Sequence, residues 1–260
     1  MAQFFNPKVI VGIPAFNEQD KIADVVRGAL PHAAAVVVVD DGSRDRTAWN
    51  ALNAGAKVIR HRHNAGKGAA VATLFRYAVE QRADALVLID GDGQHDPEEI
   101  REVVGPVLAG RADVVVGSRF LTQRNDIPLH RALGQRAFNV MTALASGVPC
   151  TDSQSGFRAF GRHAFCSMRI AETTFSVECE QQFECALRGL RLIEVPISCR
   201  YDLPEKRSAY VQGVEVLSRL CAMSVRSRVL RQAPIYVPHR GEYVATAHGE
   251  LRPSVAFGAD

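Results

Sequence analysis

Asp90, Asp92 and Gln94 stand at alternate positions of the segment Asp90-Gly91-Asp92-Gly93-Gln94. In an extended segment alternate side chains point the same way, so three oxygen-bearing groups can meet at one point. Oxygen-only ligation suits Mg2+ or Mn2+, with substrate phosphates and water completing the coordination shell. A solvated acidic turn before a helix would carry the same residues and bind nothing. Company separates the two readings. Three further polar clusters follow apolar runs: Pro14-Ala15-Phe16-Asn17-Glu18, Asp40-Asp41-Gly42-Ser43 and Gly117-Ser118-Arg119. In an open α/β sheet the ligand crevice lies at the carboxyl ends of the strands. Four such clusters on one edge describe a site.

Competing motifs are weaker. A phosphatase of the haloacid-dehalogenase type also uses D-x-D, but prefers Thr or Val where this chain has Gln94. No G-x-G-x-x-G follows the first apolar run, and Gly66-Lys67-Gly68 lacks the spacing and the Ser/Thr of a P-loop. That tripeptide reads either as a flexible helix start or as backbone N–H groups and Lys67 beside a ligand. His61 and His63 flank Arg62, and loop polarity accounts for them better than a metal does. The cysteines at 150, 166, 179, 185, 199 and 221 have neither C-x-x-C nor zinc spacing, so free thiols are expected.

The elements that must position these clusters follow from periodicity. Val9 to Ile13 reads as a strand, and Ile22, Val25, Val26, Ala29 and Leu30 recur at helical spacing. Val36 to Val39 is an unbroken β-branched run, as expected of a strand buried on both faces. A helix over Thr47 to Asn53, a strand over Lys57 to Arg60, a helix opened by Gly66-Lys67-Gly68 and a strand over Leu86 to Ile89 follow. Asp96 is placed to cap the next helix, with Pro97 at its first position and Glu98 and Glu99 at the positive end of its dipole. Ile100, Val103, Val104, Val107 and Leu108 form its apolar face, Gly110 ends it, and Val114 to Val116 is the fifth strand. The second half is less regular: helices over Arg131 to Leu144 and Val177 to Leu187, and a late strand over Leu192 to Ile197. The fold class is α/β, a mixed, mostly parallel sheet flanked by helices.

Composition narrows the function. The chain has 260 residues, 47% hydrophobic and 23% charged, with a formal net charge of +3. A dedicated nucleic-acid binder carries a larger basic excess, so no nucleic-acid partner is expected. The longest apolar run, Ala33 to Val39, is far short of the roughly 18–20 residues of a membrane-spanning helix. No charged stretch followed by an apolar one opens the chain, which gives an expectation of a cytoplasmic protein.

The ordered set P-x-F-N-E, D-D-G-S-x-D-x-T, G-K-G-A, D-x-D-x-Q-H-x-P and G-S-R resembles family 2 glycosyltransferases of the GT-A fold. Within them it is similar to the dolichol-phosphate mannose synthase and polyprenyl-phosphate glycosyltransferase branch, over roughly residues 8 to 215. Ser155-Gly156-Phe157-Arg158 and Glu194-Val195-Pro196-Ile197 extend the likeness. The resemblance implies that Pro14, Phe16, Asn17, Glu18, Asp40, Asp41 and Ser43 hold the base and ribose of a nucleotide-sugar. Lys67, Asp90, Gly91 and Asp92 would complete the donor site, and Asp90, Asp92 and Gln94 would bind Mg2+ or Mn2+. Arg119, Arg131, Ser155 and Arg158 would face an acceptor phosphate, joined by Arg200 and Lys206. Asp92 and Arg119 would carry the catalysis. The family's basic loop departs here: the chain has Arg200-Tyr201-Asp202-Leu203-Pro204-Glu205-Lys206-Arg207-Ser208 in place of an Arg-x-x-G-x-S-K-like segment.

Transfer from a nucleoside diphosphate needs charge relief at the leaving group and a nucleophile on the opposite face of the sugar. A hydroxyl nucleophile also needs a carboxylate base, which hydroxyl-using relatives supply from an E-D element. This chain has no Glu-Asp dipeptide, and its single tryptophan, Trp49, excludes Q-x-x-R-W. A phosphate acceptor is already an anion. The expectation is therefore an inverting transfer to a polyprenyl or dolichyl phosphate. Two alternatives are a soluble hydroxyl acceptor, with Glu178 or Glu180 as base, and a non-catalytic nucleotide-binding partner of a membrane complex. A transferase domain is expected over 1–208, with a nucleotide half to about 120 and an acceptor half to 208. A helix and tail are expected over 209–260. That helix stripes Tyr210, Val214, Leu217, Cys221 and Val225 beside Arg219, Arg226, Arg228 and Arg231. It suits either an anionic leaflet on the cytoplasmic membrane face or a protein contact, including one within a homo-oligomer.

Overall fold

The structure is a computed structural model that describes residues 7–122, 129–174, 176–200, 243–245 and 251–253. Its central sheet holds β1 (Val9–Ala15), β2 (Ala35–Asp40), β3 (Lys57–Arg60), β4 (Ala85–Leu88), β5 (Val114–Ser118), β6 (Arg158–Gly161) and β7 (Leu192–Pro196), in the order β7-β5-β6-β4-β1-β2-β3. Two short strands, β8 (Tyr243–Ala245) and β9 (Leu251–Pro253), extend the β3 edge antiparallel, in a stretch that reads as tail from sequence. β1 pairs parallel with β2 and β4, β2 with β3, and β5 with β7. Only β6 among the seven central strands runs against its neighbours, between β4 and β5.

Alternate residues of each strand feed two cores, as a sheet covered on both faces requires. Val9, Val11, Ile13, Val36, Val38 and Val87 pack on the side of α1 (Ile22–Ala29), α2 (Thr47–Asn53) and α4 (Ile100–Leu108). Ile10, Val37, Val39, Leu86 and Leu88 pack on the side of α3 (Lys67–Glu80) and α6 (Arg162–Ser167), with Val177 and Cys185 of α7 (Val177–Arg188). Val36 to Val39 are at most 2% exposed, which is why no polar residue interrupts them.

Local chemistry sets the element ends. The Asp96 carboxylate accepts the Glu98 N–H at 3.1 Å, and Pro97–Glu99 forms a 3-10 turn that leads into α4. Gly110 at φ +67° ends that helix. Leu108 departs from expectation: it is 41% exposed, outside the apolar face. α5 (Leu129–Ser146) runs two residues past the expected helix at each end. β6 and α6 are not legible from periodicity, because β6 is four residues long, opens on an arginine, and passes straight into the helix. Among the described residues the cysteines are free thiols, as their spacing implies. No helix there is long and apolar enough to cross a membrane. The stripe from Tyr210, with Lys206 and Arg207, lies outside the described residues.

Candidate active site

The chain leaves β1 toward β2 and β3, then returns to place β4 on the other side of β1. Connections depart in opposite directions there, and the gap at the strands' carboxyl ends is where an open α/β sheet binds its ligand. Residues 14–18 and 90–94 border that gap. Residues 40–43 follow β2 one strand away, and residues 117–119 end β5 beyond β6. The clusters expected to converge do converge.

The acidic loop sits at its centre. Asp90 Oδ1 meets Lys67 Nζ at 2.7 Å, and the same ammonium meets Glu178 Oε1 at 2.8 Å. Burial alone would push the Asp90 carboxyl up, but Lys67, His95 and Arg119 outweigh it and hold it below the usual carboxylate range. Burial would likewise lower Lys67, yet Asp90 and Glu178 raise it. Asp92 Oδ1 accepts the Gln94 N–H at 3.0 Å, which fixes the turn. Gly156 is required here: a Cβ at that position would lie 2.4 Å from Asp90 Oδ2. These residues fit a hard divalent cation. Asp90 is held ionised, Asp92 adds a second carboxylate, and a side-chain-free backbone faces the Asp90 oxygen. Among the described residues no three His, Cys, Asp or Glu side chains form a preassembled metal cluster, so phosphate and water oxygens would complete the shell.

Beside the loops that follow β1 and β2 an open cleft of about 620 Å³ is lined by Phe16, Ser43, Arg44, Arg60, Arg62 and His63 among others. Asn17, at φ +56°, donates its N–H to Ser43 Oγ at 2.9 Å and accepts the Arg44 N–H at 3.0 Å. The Glu18 N–H bonds Thr47 Oγ1 at 2.8 Å, so the loops after β1 and β2 are stitched together. Burial raises the Asp40 carboxyl, against the pull of Ser43 and Arg60; Arg60 Nε lies 2.9 Å from Oδ2. Pro14 lies in β1 and Gly91 packs over Ile22, Ile13 and Ala15. The basic lining from Arg44, Arg60 and Arg62 is not marked by any sequence motif.

Asp41 turns inward. Its Oδ1 meets His61 Nδ1 at 2.7 Å and accepts the Ala65 N–H at 2.9 Å; its Oδ2 accepts the Gly66 N–H at 2.7 Å. His61 Nε2 continues to Thr73 Oγ1 at 3.0 Å. The carboxylate thus shapes the 61–66 loop that lines the cleft. Asp41→Ala would strand the buried His61 ring and the part-buried Ala65 and Gly66 N–H groups. We expect a stability loss of about 1.5–3 kcal/mol, the scale of a hydrogen bond to a charged group. The urea midpoint should fall, whereas an unchanged midpoint would contradict this role.

Gly66-Lys67-Gly68 also has a packing cause. A Cβ at Gly66 or Gly68 would lie 2.0 Å from Thr173 O or 1.8 Å from Glu172 O, and Gly68 donates its N–H to Thr173 O at 3.0 Å. The tripeptide lets the 172–173 backbone press on the start of α3. Its Gly66 and Gly68 amides bond the chain itself, and Lys67 alone reaches the site.

On the other side, Arg119 forks onto Asp152: Nε to Oδ2 and Nη2 to Oδ1, both at 2.7 Å. Asp152 sits in a turn held by Glu194 of β7, whose carboxylate accepts the Thr151 and Asp152 N–H groups. The Arg200 N–H bonds Gln94 O at 2.9 Å, tying the chain after β7 to the acidic loop. Arg158 differs from expectation. It is 1% exposed and donates to Ser155 O, Glu178 O, Gln181 Oε1 and Ser153 O at 2.8–3.1 Å, so it braces the core and does not open on a crevice. Ser155 is 1% exposed, and its Oγ accepts the Phe157 N–H. Arg131 lies in the first turn of α5.

Sequence reasoning missed His95 and Asp152. His95 packs on Phe157 with ring centroids 5.4 Å apart, and burial, aided by Arg119, pushes its imidazole down to about 4. Its Nδ1 is buried with no hydrogen-bond partner among the described residues. The D-x-D-x-Q-H order was the available signal. Asp152 had none, because its partner Arg119 is 33 positions away.

The family model for glycosyl transferase family 2 matches residues 10–167. A UDP-N-acetylglucosamine–dolichyl-phosphate N-acetylglucosaminyltransferase of Methanococcus voltae is 33% identical over 211 residues, covering 73% of this chain and 84% of that one. A polyprenol monophosphomannose synthase of Mycolicibacterium smegmatis is 30% identical over 206 residues, covering 74% and 77%. Among solved structures, glucosyl-3-phosphoglycerate synthase from Mycobacterium tuberculosis, in complex with Mn2+, UDP and glucosyl-3-phosphoglycerate, superposes with a TM-score of 0.65. It is 22% identical and the match covers 88% of this chain and 82% of that one, a likeness of the GT-A fold. With its acidic loop at the sheet's switch point and the family pattern running through its strand ends, this chain belongs to glycosyl transferase family 2.

Proposed function

We propose that this glycosyltransferase moves a sugar from a GDP- or UDP-linked donor to a polyprenyl or dolichyl phosphate, with inversion, using Mg2+ or Mn2+ held by Asp90, Asp92 and Gln94. The observation that carries the acceptor class is the engagement of the carboxylates around the site. Glu178 is buried against Lys67, and Glu180 spends its oxygens on the Ala171 and Glu172 N–H groups. Burial pushes Glu180 up to about 7, yet those backbone bonds hold it away from a substrate hydroxyl. Neither is presented as a general base. An acceptor that is already an anion needs none, and relatives named for dolichyl-phosphate and polyprenol-phosphate chemistry support the same class.

A divalent cation bound there supplies charge to the leaving diphosphate. The chain's residues do the rest. The stitched 14–18 and 40–43 loops and the basic cleft orient base and ribose. Arg119, fixed by Asp152, keeps positive charge beside Asp90, and Arg200 enters beside Gln94. Arg131 and Lys206 would add charge toward the acceptor phosphate, and the stripe from Tyr210 would meet the membrane surface on its cytoplasmic face.

Donor and metal are tested together by thermal shift. A ligand that binds only the folded state raises stability by RT ln(1 + [L]/Kd), about 2.7 kcal/mol at a hundredfold excess over Kd. A GDP- or UDP-sugar should raise the melting temperature with Mn2+ and far less with EDTA. Equal shifts in both would remove the metal from the reading; no shift with any nucleotide-sugar would remove the donor.

A further inference from the structure

We infer that Lys67 is an internal cation that occupies Asp90 while no metal is bound, and that Glu178 takes the ammonium over when a divalent cation arrives. The inference rests on the reading that Asp90 binds metal. Three observations carry it. First, Lys67 is delivered to the site by a fixed backbone, since Gly66 and Gly68 leave no room between the start of α3 and the carbonyls of Glu172 and Thr173. Second, its Nζ bridges two carboxylates of different status: Asp90, on the acidic loop with a side chain 24% exposed, and Glu178, on α7 and 5% exposed. Third, Glu178 Oε2 is buried with no hydrogen-bond partner among the described residues. That oxygen is a second landing place for the ammonium, beyond the one it already uses.

The charges make the exchange necessary. Asp90 and Glu178 against a single ammonium leave the bridge itself one negative charge, which attracts a divalent cation. Yet the ammonium and the cation cannot share Asp90, because like charges a few ångströms apart in a poorly solvated site repel strongly. Lys67 must therefore swing toward Glu178, which keeps it paired and in reach of the diphosphate that arrives with the metal. Before loading, Lys67 prevents Asp90 and Glu178 from facing each other unpaired, an arrangement that is costly when buried. Lys67 thus sets a threshold on metal binding.

The signature is two single variants that move metal affinity in opposite directions. Mn2+ alone is titrated into the full chain, and free Mn2+ is read by electron paramagnetic resonance. Lys67→Met removes the competitor and should bind Mn2+ at least about tenfold tighter than wild type, whereas Glu178→Gln strands the ammonium on Asp90 and should bind about tenfold weaker. Lys67→Arg keeps the charge and should stay near wild type. Where Lys67→Met does not fold, the double variant Lys67→Met/Glu178→Gln carries the test, and it should bind Mn2+ more tightly than Glu178→Gln alone. The inference is overturned if removing Lys67 fails to tighten Mn2+ binding, or if Glu178→Gln tightens it. The same titration with UDP or GDP separates the two levels. If no form binds Mn2+ even with nucleotide, the metal reading falls as well. If wild type binds Mn2+ with nucleotide but loss of Lys67 does not tighten it, the exchange alone falls, and Lys67 is a direct diphosphate ligand or a structural ion pair.

Discussion

Asp92→Ala should lower turnover by about two orders of magnitude or more, the scale of losing one preorganised electrostatic contact in a transition state. Asp90 already shares its charge with Lys67, and Asp92 adds the second carboxylate of the acidic loop, its Oδ1 holding the Gln94 N–H. Without it a bound cation would be held less firmly and a leaving diphosphate would keep more of its charge. Asp92→Asn sharpens the test. Its side-chain oxygen can still accept the Gln94 N–H, so the turn keeps its shape while the charge is gone. Both variants should lose activity alike at saturating donor, and Asp92→Asn should retain the wild-type melting temperature. An Asp92→Ala enzyme with full turnover, or full wild-type turnover in EDTA, would remove the loop from the chemistry.

Arg158→Met should destabilise the fold by at least about 3 kcal/mol, because several buried acceptors lose their donor at once and each costs about 1–3 kcal/mol when left dry. Those acceptors are Ser153 O, Ser155 O, Glu178 O and Gln181 Oε1, which join the 153–155 turn to α7. The turn carries Gly156 against Asp90, so the acidic loop loosens as well. Arg158→Lys keeps the charge but not the planar fork, and should recover only part of the loss. A urea titration decides the matter. A variant that unfolds at the wild-type midpoint and shows only a raised KM for a phosphate acceptor would return Arg158 to the acceptor site.

How much of this was legible in the sequence depends on the range of the interaction. Strands such as Val36–Val39 and Lys57–Arg60 and the helix Thr47–Asn53 follow from local periodicity, and the structure has them where the pattern puts them. The Asp96 cap is equally local. The four polar clusters were legible because parallel strands send their carboxyl ends to one edge, whatever the packing details. What sequence could not show is which polar groups the protein keeps for itself. Asp41 and Arg158 look like ligand-binding residues by type, yet one shapes a loop through His61, Ala65 and Gly66 and the other braces a turn against α7. The partners of Asp41 and the α7 partners of Arg158 lie 20 to 25 positions away and carry no pattern of their own. Gly66-Lys67-Gly68 likewise looks like a phosphate loop until Glu172 and Thr173 are seen pressing on it.

The central claim is that the site joins a nucleotide-sugar to an anionic lipid acceptor, and one comparison tests it most directly. The purified chain is given Mn2+, a panel of GDP- and UDP-sugars, and either a short polyprenyl phosphate or the same polyprenol without its phosphate. Products are read by mass spectrometry, and the anomeric configuration by NMR. The account predicts a glycosyl phosphate lipid of inverted configuration from the phosphate acceptor, with kcat/KM at least about a hundredfold above the alcohol, since the alcohol has no general base to activate it. Equal or better transfer to the alcohol or to a free sugar hydroxyl would contradict it.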